Sequence, residues 1–315
     1  MNPLRVLVCG TNYGRVYIES IALGGTSYRL VGILARGSAR SQHLALEYGV
    51  PLYRGVENLP AGIDMACAAM GASGCDVIRD LLARGIHVLC EHPQKPEFLN
   101  SALHTAASHN LCFHVNGHFS DLPAAQAFVG YCLRESAARV PSFVDVTATD
   151  RSLYATLDIL RRVLPSFVRS RFQVTSRLGQ FMIIQGLLGD VPATFQIQRR
   201  ADGRALPDGS PSYLVDHRIE VGFPSGILSM LSMNGPVVWN VNLNCRKYCQ
   251  EPLIAVVQED RTLCAELLAR QRISANFRAI EALAKDIRES IKPVGQEPHY
   301  LLDVSDTWLA LSDLL

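Results

Sequence analysis

The sequence has almost no net charge: thirty Lys and Arg offset twenty-nine Asp and Glu, leaving a formal +1. That balance gives no sign of the basic surface on which a nucleic-acid or membrane-surface binder relies. Charged residues are also scarce, at 19% against the ~25% usual for soluble chains, which excludes disorder and points to large buried sheets. Long apolar runs are missing. No stretch reaches the ~18 residues of a membrane span without a charge or a breaker. The apolar stretch of five residues after Arg5 is too short for a signal-peptide core. The nine cysteines contain no C-x-x-C, and Cys245 and Cys249 have no nearby His or second Cys pair to complete a zinc site. Several lie in apolar runs, as in Val8-Cys9 and Leu89-Cys90, where reduced thiols of a cytoplasmic protein belong. There is no G-x-S-x-G elbow, no P-loop lysine and no metal-ligand spacing.

What the chain does have is size and apolar content. At roughly 150 residues per domain, 315 residues suggest two domains. Up to Asn116, short β-rich runs alternate with helical patterns. Strands are read at Leu4–Cys9, Arg29–Ala35, Met65–Met70, Ile86–Cys90 and Cys112–Asn116. Between them fall helices at Gly14–Leu23, from the Ser38 cap to Tyr48 before Gly49, at Gly74–Ala83 and at Pro96–Ser108. This alternation predicts an α/β, Rossmann-like doubly wound parallel sheet.

After Phe119 the rhythm changes. Helices at Leu122–Arg134 and Leu153–Leu164 precede strands at Arg171–Ser176, Phe181–Leu188, Ala193–Arg200, Tyr213–Val221, Gly226–Met233 and Val237–Leu243. Turn signals separate them, among them Leu188-Gly189-Asp190, Pro207-Asp208-Gly209 and Asn234-Gly235-Pro236. Helices at about Asp260–Glu289 and Tyr300–Leu314 close the chain. The pattern predicts an α+β domain with a large, mostly antiparallel open sheet. The expected division is a dinucleotide-binding domain at 1–119 and a substrate and oligomerisation domain at 120–315, with the C-terminal helix able to pack back on the first.

Cys9-Gly10-Thr11-Asn12-Tyr13-Gly14 stands where a dinucleotide fingerprint belongs, after the first strand and before the first helix. It reads G-x-x-x-G, with Asn12 in the region of the middle glycine; Asn tolerates a left-handed backbone better than most residues. Gly10 can make the tight turn, and Gly14 leaves room for a phosphate at the helix N-terminus. The second strand ends in Ala35-Arg36-Gly37-Ser38-Ala39-Arg40-Ser41, without the carboxylate that reads a ribose 2′-hydroxyl. Two guanidinium groups, Arg36 and Arg40, with Ser38 and Ser41, favour a ribose phosphate and hence NADP(H).

Carboxyl ends of parallel strands border the binding crevice, which singles out Glu91 and His92 in Cys90-Glu91-His92-Pro93. A second polar group, Asn116-Gly117-His118-Phe119-Ser120-Asp121, follows the fifth strand. A third lies where a strand of the second domain passes into a helix, on which Tyr154 and Asp158 are i, i+4 and share a face. Asp158 sits in an apolar segment, so it needs a partner or a role. His217 is read first as a strand histidine, and His43, His104, His109 and His299 as helix-surface residues.

These motifs, together with Tyr48-Gly49-Val50-Pro51, Leu153-Tyr154-Ala155-Thr156-Leu157-Asp158 and Gly235-Pro236-Val237-Val238-Trp239, resemble the Gfo/Idh/MocA oxidoreductase family. The nearer likeness is to the thiazolinyl imine reductases of siderophore biosynthesis, as in yersiniabactin and pyochelin pathways. The E-H-P at Glu91–Pro93, in place of the wider family's E-K-P, is the more specific match. The resemblance implies NADPH-dependent reduction of a thiazoline C=N to a thiazolidine. The substrate would be held as a thioester on a carrier domain of a nonribosomal peptide synthetase. His92 takes the place of the lysine associated with proton transfer and is the first candidate for the acid. Some such reductases carry a tyrosine after the fifth strand; that place falls on Phe119, so either His92 suffices, alone or with water, or neighbouring His118 or the distant Tyr154 takes over. A homodimer is common in the family. Two other readings stay open: a sugar or polyol oxidoreductase, and a non-catalytic NADPH-binding regulator.

Overall fold

The computed structural model describes residues 2–199, 216–242, 254–260 and 262–315. By its internal contacts the chain divides into two compact units, residues 1–118 with 265–302 and residues 119–264 with 303–315.

In the first unit, β1 (Leu4–Cys9), α1 (Gly14–Leu23), β2 (Tyr28–Leu34), α2 (Ala39–Glu47), β3 (Leu52–Tyr53), β4 (Met65–Ala68), α3 (Cys75–Ala83), β5 (His87–Glu91), α4 (Pro96–Ser108) and β6 (Phe113–Asn116) follow in order. The strands form a parallel sheet in the order β3-β2-β1-β4-β5-β6, the doubly wound arrangement expected from the alternation. β1 and α1 have the bounds read from the sequence because their signals are local: a buried apolar run, a glycine turn, then helical spacing. Ser38 caps α2, its hydroxyl accepting from the Ser41 amide at 3.3 Å, and Gly49 ends the segment at φ +61°. The two-residue β3 escapes the sequence reading because it is too short to show a period.

The long α7 (Ala265–Glu289) returns to this unit and covers one face of the sheet. Its Ile280, Leu283 and Ala284 join Val6, Val8, Tyr17 and Ile33 in one core. It begins at Ala265 rather than near Asp260, whose carboxylate instead accepts from the Thr262 amide in a turn. A buried pair anchors it farther along: His114 Nε2 on β6 lies 2.9 Å from Asp286 Oδ2. Burial lowers the His114 pKa, and the Asp286 carboxylate only partly offsets that.

The second unit holds α5 (Pro123–Ser136), β7 (Phe143–Thr149), α6 (Leu153–Val163) and β8 (Arg171–Leu178). There follow β9 (Phe181–Leu188), β10 (Val191–Gln198), β11 (His217–Phe223), β12 (Gly226–Met230), β13 (Val237–Val241) and β14 (Ile254–Gln258). Its sheet runs β14-β13-β12-β11-β7-β10-β9-β8, with β7 and β10 parallel and every other pair antiparallel. The large, mostly antiparallel sheet is as expected. β10 starts before the expected Ala193, because Pro192 lies next to the strand end, where a missing N–H costs little. The beginning of the expected Tyr213 strand, the Pro207 turn, Cys245 and Cys249 lie outside the described residues. The last helix, α8 (Pro298–Ser312), spans the boundary between the two sets of residues.

Candidate active site

The ends of β1, β5 and β6 and the start of α1 bring the site together within the first unit. At Gly10 the backbone adopts φ +87°, and a Cβ there would lie 2.3 Å from the Ala69 carbonyl oxygen, so only glycine lets the β1 turn pass the end of β4. A Cβ on Gly14 already meets Val8 Cγ1 at 3.0 Å. α1 starts at Gly14 with no side-chain cap and no acidic residue in its first turn, leaving amides and the positive end of the helix dipole for an anion. Thr11 is half-buried and Asn12 exposed on this turn. Arg40 Nη1 donates to Asn12 Oδ1 at 3.1 Å, which joins the turn to the start of α2. Arg36, Ser38 and Arg40 are exposed after β2. Ser41 is buried, and its hydroxyl donates to the Ser38 carbonyl at 2.7 Å, holding the cap. The sequence reading missed Arg54: its guanidinium lies against Gly37, where a Cβ would come within 2.8 Å of Nε. A third cation by the β2 end was hidden because it follows the unpredicted β3. The cradle and its donors fit a dinucleotide.

Glu91 closes β5, and His92 follows it, half-buried, before a cis peptide to Pro93. His92 Nδ1 lies 2.6 Å from the Asn116 carbonyl oxygen and 3.9 Å from Glu91 Oε1. Tyr17 Oη donates to Glu91 Oε2 at 3.0 Å. Burial still pushes the Glu91 pKa up to about 8, the Tyr17 bond lowering it only in part. His118 is buried, its ring 5.8 Å from that of His92, and its Nε2 shares a 3.0 Å hydrogen bond with Tyr13 Oη. Burial, then the neighbouring His92 and Arg272, hold His118 well below the usual imidazole range, which favours its neutral form. One nitrogen or oxygen from each of the Glu91, His92 and His118 side chains lies within 4.8 Å of the other two. Tyr17, Asn116 and Asn276 complete the polar cluster. Tyr17 lies one turn after Tyr13, the one hint the sequence offered; Asn276, on α7, gave no signal.

Tyr154 and Asp158 belong to the second unit. Tyr154 is buried with its ring 6.2 Å from that of Trp308. Asp158 accepts from the Ser120 hydroxyl, and Arg162 Nε approaches it at 3.5 Å. These partners explain a carboxylate in an apolar segment. Phe119 packs edge-on to His217 at 6.4 Å. Burial lowers the His217 pKa to about 4, and its Nδ1 meets Thr156 Oγ1 at 3.2 Å. The four surface histidines are all exposed.

Residues 4–117 match the sequence model of the GFO_IDH_MocA oxidoreductase family, NAD-binding Rossmann fold. Residues 139–240 match that of the thiazolinyl imine reductase Irp3-like C-terminal domain. The two matches fall in order along the chain: a region similar to the NAD-binding Rossmann fold of that oxidoreductase family comes first, and a region similar to the Irp3-like C-terminal domain follows. No curated protein sequence matches it. Solved structures share the fold over nearly the full length. GenD2 from gentamicin A biosynthesis, in complex with NAD, is 14% identical at TM-score 0.72, covering 98% of this chain and 93% of that one. UDP-N-acetylglucosamine 3-dehydrogenase GnnA from Acidithiobacillus ferrooxidans is 16% identical at TM-score 0.73, covering 100% and 98%. An Agrobacterium radiobacter oxidoreductase with NAD+, L-tartaric acid and magnesium is 11% identical at TM-score 0.74, covering 99% and 96%. No helix among the described residues is long and apolar enough to cross a membrane.

Proposed function

We propose that this chain is an NADPH-dependent thiazolinyl imine reductase, acting on a siderophore intermediate held on a nonribosomal peptide synthetase. The observation that carries this reading is the Irp3-like match at residues 139–240, joined to a Rossmann region whose β5 ends at Glu91, with His92 next in the chain. Bound NADPH supplies a hydride to the ring carbon of the C=N bond while the ring nitrogen takes a proton. For that proton the reading takes His92. Its Nδ1 donates to the Asn116 carbonyl, so the acid proton is the one on Nε2, and after transfer the neutral ring keeps its Nδ1 proton on the carbonyl. Arg36 and Arg40, with Arg54 beside Gly37, are assigned to the ribose phosphate, which favours NADPH over NADH. The partner that delivers the substrate is a carrier domain, and a homodimer would cover the open face of the second sheet.

A second reading draws on the neighbours of the fold, one of them a UDP-sugar dehydrogenase: oxidation of a sugar or polyol with NAD. Steady-state loss of NADPH absorbance with a synthetic aryl-thiazoline thioester separates the two. Oxidation of NADPH with the thioester, and no reduction of NAD or NADP by sugars, is the expected result. Sugar-dependent reduction without thioester activity would establish the second reading, and tight NADPH binding with neither activity a regulatory role.

A further inference from the structure

Six polar side chains of the first unit form one hydrogen-bonded line: Glu91, Tyr17, Asn116, Asn276, Tyr13 and His118. Its two ends are groups of the candidate site. Its middle is Asn276, fully buried and brought by α7 from 160 positions beyond Asn116.

Two backbone groups fix the direction of the amide bonds in this line. The His118 N–H can only donate, so the Asn116 atom it meets at 3.0 Å is Oδ1. Asn116 Nδ2 is then the donor, to Tyr17 Oη at 2.6 Å and to Asn276 Oδ1 at 2.8 Å. At the other end the Arg272 carbonyl can only accept, so Asn276 faces it with Nδ2, at 2.8 Å. The same Nδ2 donates to Tyr13 Oη at 3.1 Å. Each phenol thus receives a proton from an amide and has its own to direct outward. Tyr17 directs it at Glu91 Oε2, and Tyr13 Oη faces His118 Nε2, each over 3.0 Å.

Resting on the reductase reading for its catalytic meaning, we propose that Asn276 is a positioning residue that turns Tyr13 toward His118, fixing His118 as the Nδ1–H tautomer, while Asn116 turns Tyr17 toward Glu91 Oε2 and leaves Oε1 as the oxygen that carries the carboxyl proton. That oxygen is the one 3.9 Å from His92 Nδ1. A His118 whose Nε2 accepts from Tyr13 carries no charge beside His92, in keeping with its depressed pKa. An amide is required at position 276 because only an amide offers an acceptor to Asn116 and a donor to Tyr13 and the Arg272 carbonyl at once.

The test reads the tautomer directly, from long-range proton–nitrogen spectra of the full-length protein labelled with 15N-histidine. The wild type should show His118 protonated on Nδ1 and bare on Nε2. Asn276→Asp keeps the size and the acceptor but replaces the donor, so Tyr13 must give its proton to the new carboxylate and His118 must switch to Nε2–H. Tyr13→Phe removes the hydroxyl outright and should leave a mixture of tautomers, which keeps the test open if Asn276→Asp does not fold. An Nε2–H tautomer in the wild type, or an unchanged Nδ1–H tautomer in the folded variants, would overturn the proposal. With the thiazoline thioester, Asn276→Asp should lower kcat roughly tenfold or more with little change in the KM for NADPH; a change in KM alone would reject the positioning role. The tautomer is read without turnover, so a wild type inactive on thiazolines would sink the reductase reading while leaving this result standing.

Discussion

In the first unit the buried Tyr17, Asn116 and Asn276 pass hydrogen bonds from one to the next until the line reaches Glu91 and His118. In the second unit the buried Asp158 and His217 are answered locally, Asp158 by Ser120 and Arg162 and His217 by Thr156. Both arrangements satisfy groups that would cost about 1–3 kcal/mol each if left unpaired. They differ in where the bonds end. Those of the second unit tie α6 to the segment after β6 and to β11. Those of the first converge at the carboxyl edge of a parallel sheet, where a doubly wound fold binds its ligands. Local pairing serves stability, whereas a directed line of bonds sets which atoms carry protons.

The largest test of that contrast is His92→Ala. Losing a general acid should lower turnover with the thiazoline thioester by roughly 10²–10⁴-fold, while Phe119→Tyr should change it far less; near-wild-type rates in His92→Ala would end the assignment. In the second unit, Thr156→Val removes the hydroxyl facing His217 and should cost about 1–3 kcal/mol in chemical denaturation, with the turnover of the folded enzyme unchanged. A loss of turnover without a loss of stability would erase the distinction between the units.

Glu91 gives the contrast a pH signature. Its folded pKa of about 8 stands above the ordinary carboxylate value of 4.5, so between these values the folded protein holds a proton that the unfolded chain has released. Its contribution is therefore fully present below about pH 4.5 and is lost as pH rises toward 8. Below about 6.5 the buried His118 and His217, with lowered pKa values, act in the opposite sense, because only the unfolded chain binds their protons. The window from about 6.5 to 8 is thus left to Glu91, and stability should fall there by up to about 1.4 kcal/mol per pH unit. Glu91→Gln should flatten that descent, as urea midpoints across the window would reveal. The smallest expected effect lies at the cofactor end. Arg36→Ala should weaken NADPH about tenfold, some 1.4 kcal/mol, and NADH much less, by fluorescence titration; an equal loss for both would remove the ribose-phosphate assignment.

The parts of the molecule legible in the sequence are those whose causes lie close together in the chain. β1, the glycine turn and α1 carry their own apolar run, breaker and helical spacing, and the Ser38 cap is a contact across three residues. Glu91, His92 and His118 were legible because strand ends in such a sheet border its crevice. The interior of the site was not. Asn276 sits in a helix whose pattern reads only as amphipathic, and its meaning comes from Tyr13 and Asn116, distant by 263 and 160 positions. Tyr17 looks like core, and all but its hydroxyl is. Likewise the parallel pairing of β7 with β10 follows from no local period.

The most direct test of the account is a single turnover with NADPH deuterated at the transferable C4 position and the aryl-thiazoline loaded on its carrier domain, read by mass spectrometry of the released product. A thiazolidine bearing one deuterium on the former C=N carbon is the predicted result. An unlabelled thiazoline recovered intact, from enzyme that consumes NADP or NAD with a sugar instead, would contradict it.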